Sequence, residues 1–352
     1  MKWVALCHLG AEQAVTSELE DHSLQATQNM GSVSFEATKQ QAADFLYYSQ
    51  CTIRLLAEVA KGAYKDLDIS QAHQLIPEDA TFCVRAEIIA GGPGDTSSQE
   101  IAYEYGAQIN RPVDLDEPQY TIYAQVGSET VAGIDVSGDL SKRYYRIFTN
   151  SRSMKGTLVA SALRIFGVRG LLLDPFANTG EVCIEAALKA THTSHLKYRK
   201  FEKYTLIEDE VSTWNDESEH KPEHEIHCYD NHLGNLRSCK KNGKLAGVQN
   251  SITFSKTEPE WMDVKFNEND LGSIITIPPP VTNRNPESDH LEELCYQAEW
   301  VLKNKGKLVV FCLTAETAYE LAKHAEKYDM KPIKEHVLYS GKLAIQVVEY
   351  GL

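Results

Sequence analysis

Three short runs in this sequence carry side chains whose types and spacing could do chemistry. Asp174-Pro175-Phe176-Ala177-Asn178-Thr179-Gly180 joins the apolar run Gly170 to Leu173 to the helical pattern Val182 to Leu188. A strand, a small-residue turn and a helix start form a nucleotide-type pocket at the carboxyl edge of a parallel sheet. The turn holds one glycine and lacks a G-x-G-x-x-G cradle for pyrophosphate, so a cofactor without phosphates fits better. Asp230 ends the apolar run Ile226 to Tyr229, where a carboxylate can grip a ribose diol through two hydrogen bonds, or simply cap a turn. The third run, Ile275-Thr276-Ile277-Pro278-Pro279-Pro280, also closes a strand. Its prolines hold an extended backbone and remove amide donors, which leaves the carbonyls of Thr276 and Ile277 for a ligand.

A fourth group is basic and aromatic. Lys142, Arg143, Arg146, Arg152 and Lys155, with Tyr144, Tyr145 and Phe148 among them, suit a phosphate backbone with accessible single-stranded bases; the plain alternative is a solvated linker. Lys197, Arg199, Lys200 and Lys203 form a second cluster, read as a solvated helix. His220, His224, His227, Cys228 and His232 invite a metal reading, but His227 and Cys228 alternate sides of one strand and paired ligand spacing is missing, so no metal is expected. The eight cysteines include no Cys-x-x-Cys pair and read as buried thiols of a reducing compartment. None stands beside the Pro-rich run, where adduct chemistry with a base would need one.

The 352 residues, with 42% hydrophobic and 24% charged side chains, predict a soluble globular protein of two or three domains and exclude a disordered or fibrous one. No run approaches the ~18 to 20 apolar residues of a membrane span, and the N-terminus MKWVALCHLG does not read as a signal peptide, so a cytoplasmic protein with no membrane partner is expected. A net charge of −15 opposes broad adhesion to nucleic acid, so no DNA partner is expected and any RNA contact must rest on a local basic patch.

The pattern divides the chain into three. Residues 1–65 run strand, helix, strand, helix and a further apolar segment, which suggests a ferredoxin-like unit. Residues 66–148 hold a strand over Phe82 to Glu87, a Ser-capped helix from Ser97 to about Ile109, and a hairpin of Tyr120 to Val126 with Thr130 to Asp135. From 149 to 352 apolar strands alternate with helices, the signature of a doubly wound parallel sheet, closed by an antiparallel hairpin. The polar stretch 191–225 reads as a surface insertion.

Taken in order, these features resemble a family: the class I S-adenosylmethionine-dependent tRNA methyltransferases with an N-terminal THUMP domain, archaeal type. The resemblance rests on Asp174 to Gly180, Asp230, Lys241 to Val248, Glu260 to Phe266 and the Pro-rich strand end. Upstream it takes in Val113 to Pro118, Gly133 to Asp135, Leu140 to Arg146 and Ser153 to Thr157, so nearly the whole chain is covered. It implies an α/β chain with a Rossmann-like methyltransferase domain behind α+β ferredoxin-like and THUMP domains, and S-adenosylmethionine as cofactor. By the same resemblance Asp174, Phe176, Asn178, Thr179 and Gly180 would line the methionine and ribose side, Asp230 and Asn231 would hold the ribose hydroxyls, and Met262 and Asp263 would flank the adenine. Lys142, Arg143, Tyr145, Arg146, Arg152 and Lys155 would contact tRNA, and Ile277, Pro278, Pro279 and Pro280 would form the catalytic strand end. The implied reaction is methylation of a base, the N2 amine of a guanine foremost.

Two departures stand out. Ala177-Asn178-Thr179 replaces the family's small residue and glycines. At the catalytic strand end, relatives have Asp or Asn, two prolines and an aromatic: the first accepts hydrogen bonds from the target amine and the last stacks on the flipped base. Here Ile277 cannot accept a hydrogen bond and Pro280 has no π face. Thr276, Thr282, Asn283 and Asn285 are nearby substitutes. The departures keep a second reading open, a catalytically silent tRNA-binding paralogue, while a small-molecule methyltransferase would leave the first 150 residues without a purpose.

Overall fold

The computed structural model describes residues 1–197, 205–212, 214, 221–284 and 286–352, with 303–305 by their backbone only. Arg199, Lys200, Lys203, His220 and Asn285 therefore lie outside the described residues. The chain forms two compact units, divided between Leu140 and Ser141.

The first unit is built on seven strands, β1 (Lys2–Leu6), β2 (Ala26–Asn29), β3 (Ser32–Glu36), β4 (Arg54–Gly62), β5 (Phe82–Ile88), β6 (Tyr120–Val126) and β7 (Thr130–Asp135). Three helices join them: α1 (Glu12–Asp21), α2 (Lys39–Tyr48) and α3 (Ser98–Gly106). Thr38 and Ser97 start α2 and α3 with reciprocal capping boxes to Gln41 and Glu100, which satisfies orphan amides at each helix start. The expected β6–β7 hairpin is present and antiparallel. The segments expected as separate, 1–65 and 66–148, share one sheet in the order β2-β3-β1-β4-β7-β6-β5. The reason is β4, whose one edge pairs with β1 and whose other edge pairs with β7. A short helix of the insertion, α4 (Glu208–Val211), also belongs to this unit, with Trp214 packed 4.8 Å from the Tyr47 ring.

The second unit is Rossmann-like. It opens with helix α5 (Gly156–Phe166), then β8 (Leu172–Asp174), α6 (Glu181–Ala190), β9 (Ile226–Asp230), α7 (Leu233–Leu245), β10 (Thr253–Lys256) and α8 (Met262–Lys265). Strand β11 (Leu271–Thr276), α9 (Asp289–Val301), β12 (Leu302–Cys312), α10 (Ala315–Lys327), β13 (Lys331–Ser340) and β14 (Leu343–Gly351) complete it. The sheet order is β10-β9-β8-β11-β12-β14-β13, parallel as far as β12 and then antiparallel, as the closing hairpin predicts. Helix α9 buries Leu291, Leu294, Cys295, Ala298 and Val301, one face at helical spacing, against Ile274, Leu308 and Val310 of the sheet. The strand order reverses direction between β8 and β11, so a crevice opens at their carboxyl ends, where such sheets bind ligands. Among the described residues no helix is long and apolar enough to cross a membrane.

Candidate functional site

Strand β8 delivers Asp174 to that edge. Its carboxylate is buried and accepts from Thr276 Oγ1 at 2.6 Å and the Phe176 amide at 3.2 Å, so it ties the end of β8 to the end of β11. Burial pushes its pKa up to about 7; those two hydrogen bonds oppose the rise, and Asp230 and Glu181 add to it. Between the ordinary carboxylate range and pH 7 the folded protein therefore holds a proton that the unfolded chain releases, and this group's contribution to stability falls as pH rises through that window. Asp174→Asn removes the titration. Relative to that variant the parent should lose on the order of a few kcal/mol between pH 4 and pH 7, read from urea midpoints at a pH series.

The turn beyond Asp174 solves the problem of its missing glycines with side-chain hydrogen bonds. Asn178 takes φ +51°, the left-handed region that asparagine tolerates better than most residues. Its amide exchanges hydrogen bonds with that of Asn150, at 2.6 and 3.2 Å, and its backbone N–H donates to Asp230 Oδ2 at 2.9 Å. Thr179 donates to Glu181 Oε1 at 2.6 Å, which leaves its oxygen to accept from Ser153 at 2.6 Å. Gly180, at φ +93°, starts α6, and a Cβ there would lie 3.2 Å from the Cys239 backbone. Asp230 also accepts from the His232 amide at 2.8 Å and Asn235 Nδ2 at 3.0 Å.

In front of this turn lies an open cleft of about 230 Å³. Pro175 and Phe176 line it from the end of β8, and Asp230, Asn231 and His232 from the end of β9. Glu258, Pro259 and Glu260 follow β10, Pro279 follows β11, and His290 and Glu293 come from α9, with Arg152 beside them. Phe176, Asp230, Asn231 and Pro279, all named from the sequence, line this one cleft. Asp174, Asn178, Thr179 and Gly180 build the turn behind the cleft and do not line it.

Other residues named from the sequence lie away from the cleft. Met262 is fully buried in the core cluster with Tyr229 and Phe266, and Asp263 is exposed outside the cleft, its backbone N–H donating to Gln297 Oε1 at 2.9 Å. The cleft residues in that part of the chain are Glu258 to Glu260, which lie at the end of a strand, β10, too short to show a period. Of the Pro-rich run only Pro279 lines the cleft; Ile277 and Pro278 are buried and Pro280 half-buried. Extended backbone alternates its side chains, so four successive residues cannot share one wall. Thr276 is fully buried, its hydroxyl donating to Asp174, and neither it nor Thr282 nor Asn283 lines the cleft.

Arg143 and Tyr145 are buried, not displayed to a partner. Both bind Glu185 of α6, Arg143 through Nε at 2.8 Å and Tyr145 through its hydroxyl at 2.7 Å. Arg146 pairs with Glu181 at 3.5 Å, and Arg152 reaches Asn178 Oδ1 at 3.4 Å. Lys142 and Lys155 are exposed.

His290 has no counterpart in the sequence reading. Its Nε2 lies 2.9 Å from the Pro279 carbonyl, which can only accept, so Nε2 carries the proton and Nδ1 a lone pair. The ring stands edge-on to Phe176 with centroids 5.9 Å apart. Burial lowers its pKa, opposed by the Pro279 hydrogen bond and Asp289 and aided by Arg152, so the neutral ring prevails near pH 7. A neutral imidazole on a cleft wall is a hydrogen-bond acceptor of the kind Ile277 cannot supply.

Residues 143–344, more than half of the chain, match the model of the UPF0020 family, described as RMKL-like, methyltransferase domain. The chain belongs to this family. Among curated relatives, the tRNA (guanine(6)-N2)-methyltransferase of Methanocaldococcus jannaschii is 27% identical over 235 residues, which cover 61% of this chain and 59% of that protein. The enzyme of that name from Archaeoglobus fulgidus is 24% identical over 322 residues, 86% of this chain and 76% of its own length. The crystal structure of a possible methylase from Clostridium difficile 630 superposes with a TM-score of 0.78 at 20% identity, over 99% of this chain and 97% of that one, so the two share the fold.

Proposed function

We propose that this chain transfers a methyl group from S-adenosylmethionine to an exocyclic amine of a base in tRNA, the N2 of a guanine foremost, with its first unit serving as a THUMP-type tRNA-capturing module. Membership of the methyltransferase family and the two archaeal tRNA methyltransferases among its relatives support the reaction class. The observation that carries the reading is the cleft at the switch point of the sheet, acidic and without a phosphate cradle.

The donor set fits the cofactor. Asp230, Glu258, Glu260 and Glu293 face a single guanidinium, Arg152, which suits a cationic, phosphate-free ligand. Desolvation and the neighbouring Glu258 raise the Glu260 pKa, a crowding of like charge that a cation relieves. S-adenosylmethionine, when bound, supplies an activated methyl group on a sulfonium. Asp230 holds its ribose hydroxyls, Arg152 receives its carboxylate, and Phe176 and Pro279 offer flat apolar surface to a base. His290 Nδ1 accepts a hydrogen bond from the target amine, which orients the nitrogen lone pair and lends it electron density.

The test is incubation with labelled S-adenosylmethionine and unmodified total tRNA, followed by digestion and identification of the labelled nucleoside. A labelled N2-methylguanosine is expected. The departures at Ile277 and Pro280 favour the silent paralogue as second reading, and absence of label with tRNA still bound would establish it. Asp230→Ala should weaken S-adenosylhomocysteine binding by about 1 to 3 kcal/mol in calorimetry, through lost charge-assisted hydrogen bonds. Asp230→Asn, which keeps the acceptor for the Asn178 amide, separates this loss from collapse of the turn.

A further inference from the structure

Helix α7 carries four cations and no acid in its 13 residues, LGNLRSCKKNGKL, in a chain whose net charge is −15. Arg237, Lys240, Lys241 and Lys244 recur at i, i+3, i+4 and i+7, which places all four on one helix face, and all four are exposed. The opposite face is buried through Leu236, Cys239, Asn242 and Gly243. Like charges at these spacings destabilise a helix, and among the described residues none of the four makes an ion pair that would offset this. Two of them rest on aromatic rings instead: Lys241 Nζ lies 4.4 Å from the Phe148 centroid and Lys240 Nζ 5.8 Å from that of Phe254.

The stripe is wired to the cleft. His232, a cleft residue, is the N-cap of α7, and Arg237 follows after about 8 Å of helix at 1.5 Å per residue. From the inner face, Asn242 Nδ2 donates to the Thr179 carbonyl at 3.0 Å and Cys239 Sγ to that of Asn178 at 3.3 Å, so the helix bearing the cations also holds the turn behind the cleft. Asn242 further brackets Phe148, accepting from its N–H at 3.1 Å and donating to its carbonyl at 2.9 Å.

We infer that the outer face of α7 binds the phosphate backbone of the RNA substrate and leads the strand toward the cleft, an inference that rests on the RNA reading above. A single-sign row about 10 Å long matches a polyanion with regularly spaced charges. A bilayer is the poorer match, because membrane-surface helices present an apolar face and that of α7 is turned into its own domain.

The test uses the full chain and unmodified tRNA, titrated at a series of salt concentrations. Lys240→Gln with Lys244→Gln, and the fourfold Gln variant, should flatten the slope of log affinity against log salt by roughly 0.7 to 0.9 for each phosphate contact removed. KM for tRNA should rise with kcat kept, S-adenosylhomocysteine binding should stay at the parental value, and the thermal midpoint should not fall, since removing like charges relieves the helix. Lys240→Arg with Lys244→Arg should keep the parental slope. Gln variants with parental slope and KM overturn the inference while leaving methylation intact. A parent that neither binds nor methylates tRNA overturns the functional reading with it. Loss of binding to phosphatidylserine vesicles, with tRNA binding untouched, reassigns the stripe to membranes.

Discussion

Arg143→Met is expected to cost the second unit about 3 to 5 kcal/mol of stability, because it strands the Glu185 carboxylate in the interior without its cation. Both side chains are fully buried, and they meet through two contacts, Nε to Oε1 at 2.8 Å and Nη2 to Oε2 at 3.3 Å, in fork geometry. Tyr145 adds a third bond to the same carboxylate, and burial beside Glu185 pushes its phenol well above the ordinary range, so it stays a donor. The chain leaves no slack around this group. A Cβ on Gly156, the first residue of α5, would fall 2.3 Å from Glu185 Oε1 and 3.0 Å from the Tyr145 hydroxyl, so this position requires glycine. For a unit of this size the loss corresponds to a fall in thermal midpoint of roughly 6 to 20 °C, measurable by scanning calorimetry. Arg143→Met with Glu185→Leu and Tyr145→Phe should recover most of it, since an apolar group of similar volume costs little once neither the charges nor the hydroxyl bonded to them remain. An unchanged midpoint together with a flatter salt dependence of tRNA binding would instead return Arg143 to the RNA surface.

That pair also marks a limit of what this sequence discloses. Lys142-Arg143-Tyr144-Tyr145-Arg146 has the composition of a surface that binds nucleic acid, and the residue that decides otherwise, Glu185, lies 42 positions further on in a helix. A buried charge announces itself only through a partner, and partners are set by the fold. Periodicity was a better guide: the alternation of strands and helices after 149, the hairpin of β6 and β7 and the antiparallel end follow from side-chain period and turn residues, which are local. The continuity of the first sheet was hidden because pairing of β4 with β7 spans some seventy residues and leaves no local mark. In the cleft, Asp230 was legible because the end of a parallel strand is a fixed address. Glu258 and Glu260 were not, since the four residues of β10 are too few for a period. Ile277 looked like a loss of function at its own position; the acceptor that could make it good comes from another element, α9, thirteen residues on.

His290→Ala is therefore expected to lower kcat by about a hundred- to a thousandfold, some 2.7 to 4 kcal/mol, while leaving S-adenosylhomocysteine binding near the parental value. The sequence offers no side-chain acceptor at Ile277, and His290 lines the cleft with its ring held by a hydrogen bond from Nε2 to the Pro279 carbonyl, which leaves Nδ1 as acceptor. Its protonation turns both ring nitrogens into donors and abolishes that role, so kcat should fall as pH drops. Because burial lowers the His290 pKa, the acid limb should lie below the ~6.5 of a free imidazole. Asp174, pushed up to about 7, titrates near the same range, so the limb must be assigned by its loss in His290→Gln, which keeps an acceptor oxygen that does not titrate. That variant should also retain more activity than the alanine one. A kcat for His290→Ala equal to the parent's would move the acceptor to Glu293, three residues along the same helix, on the same face and on the same cleft. The acid limb would then persist in every His290 variant.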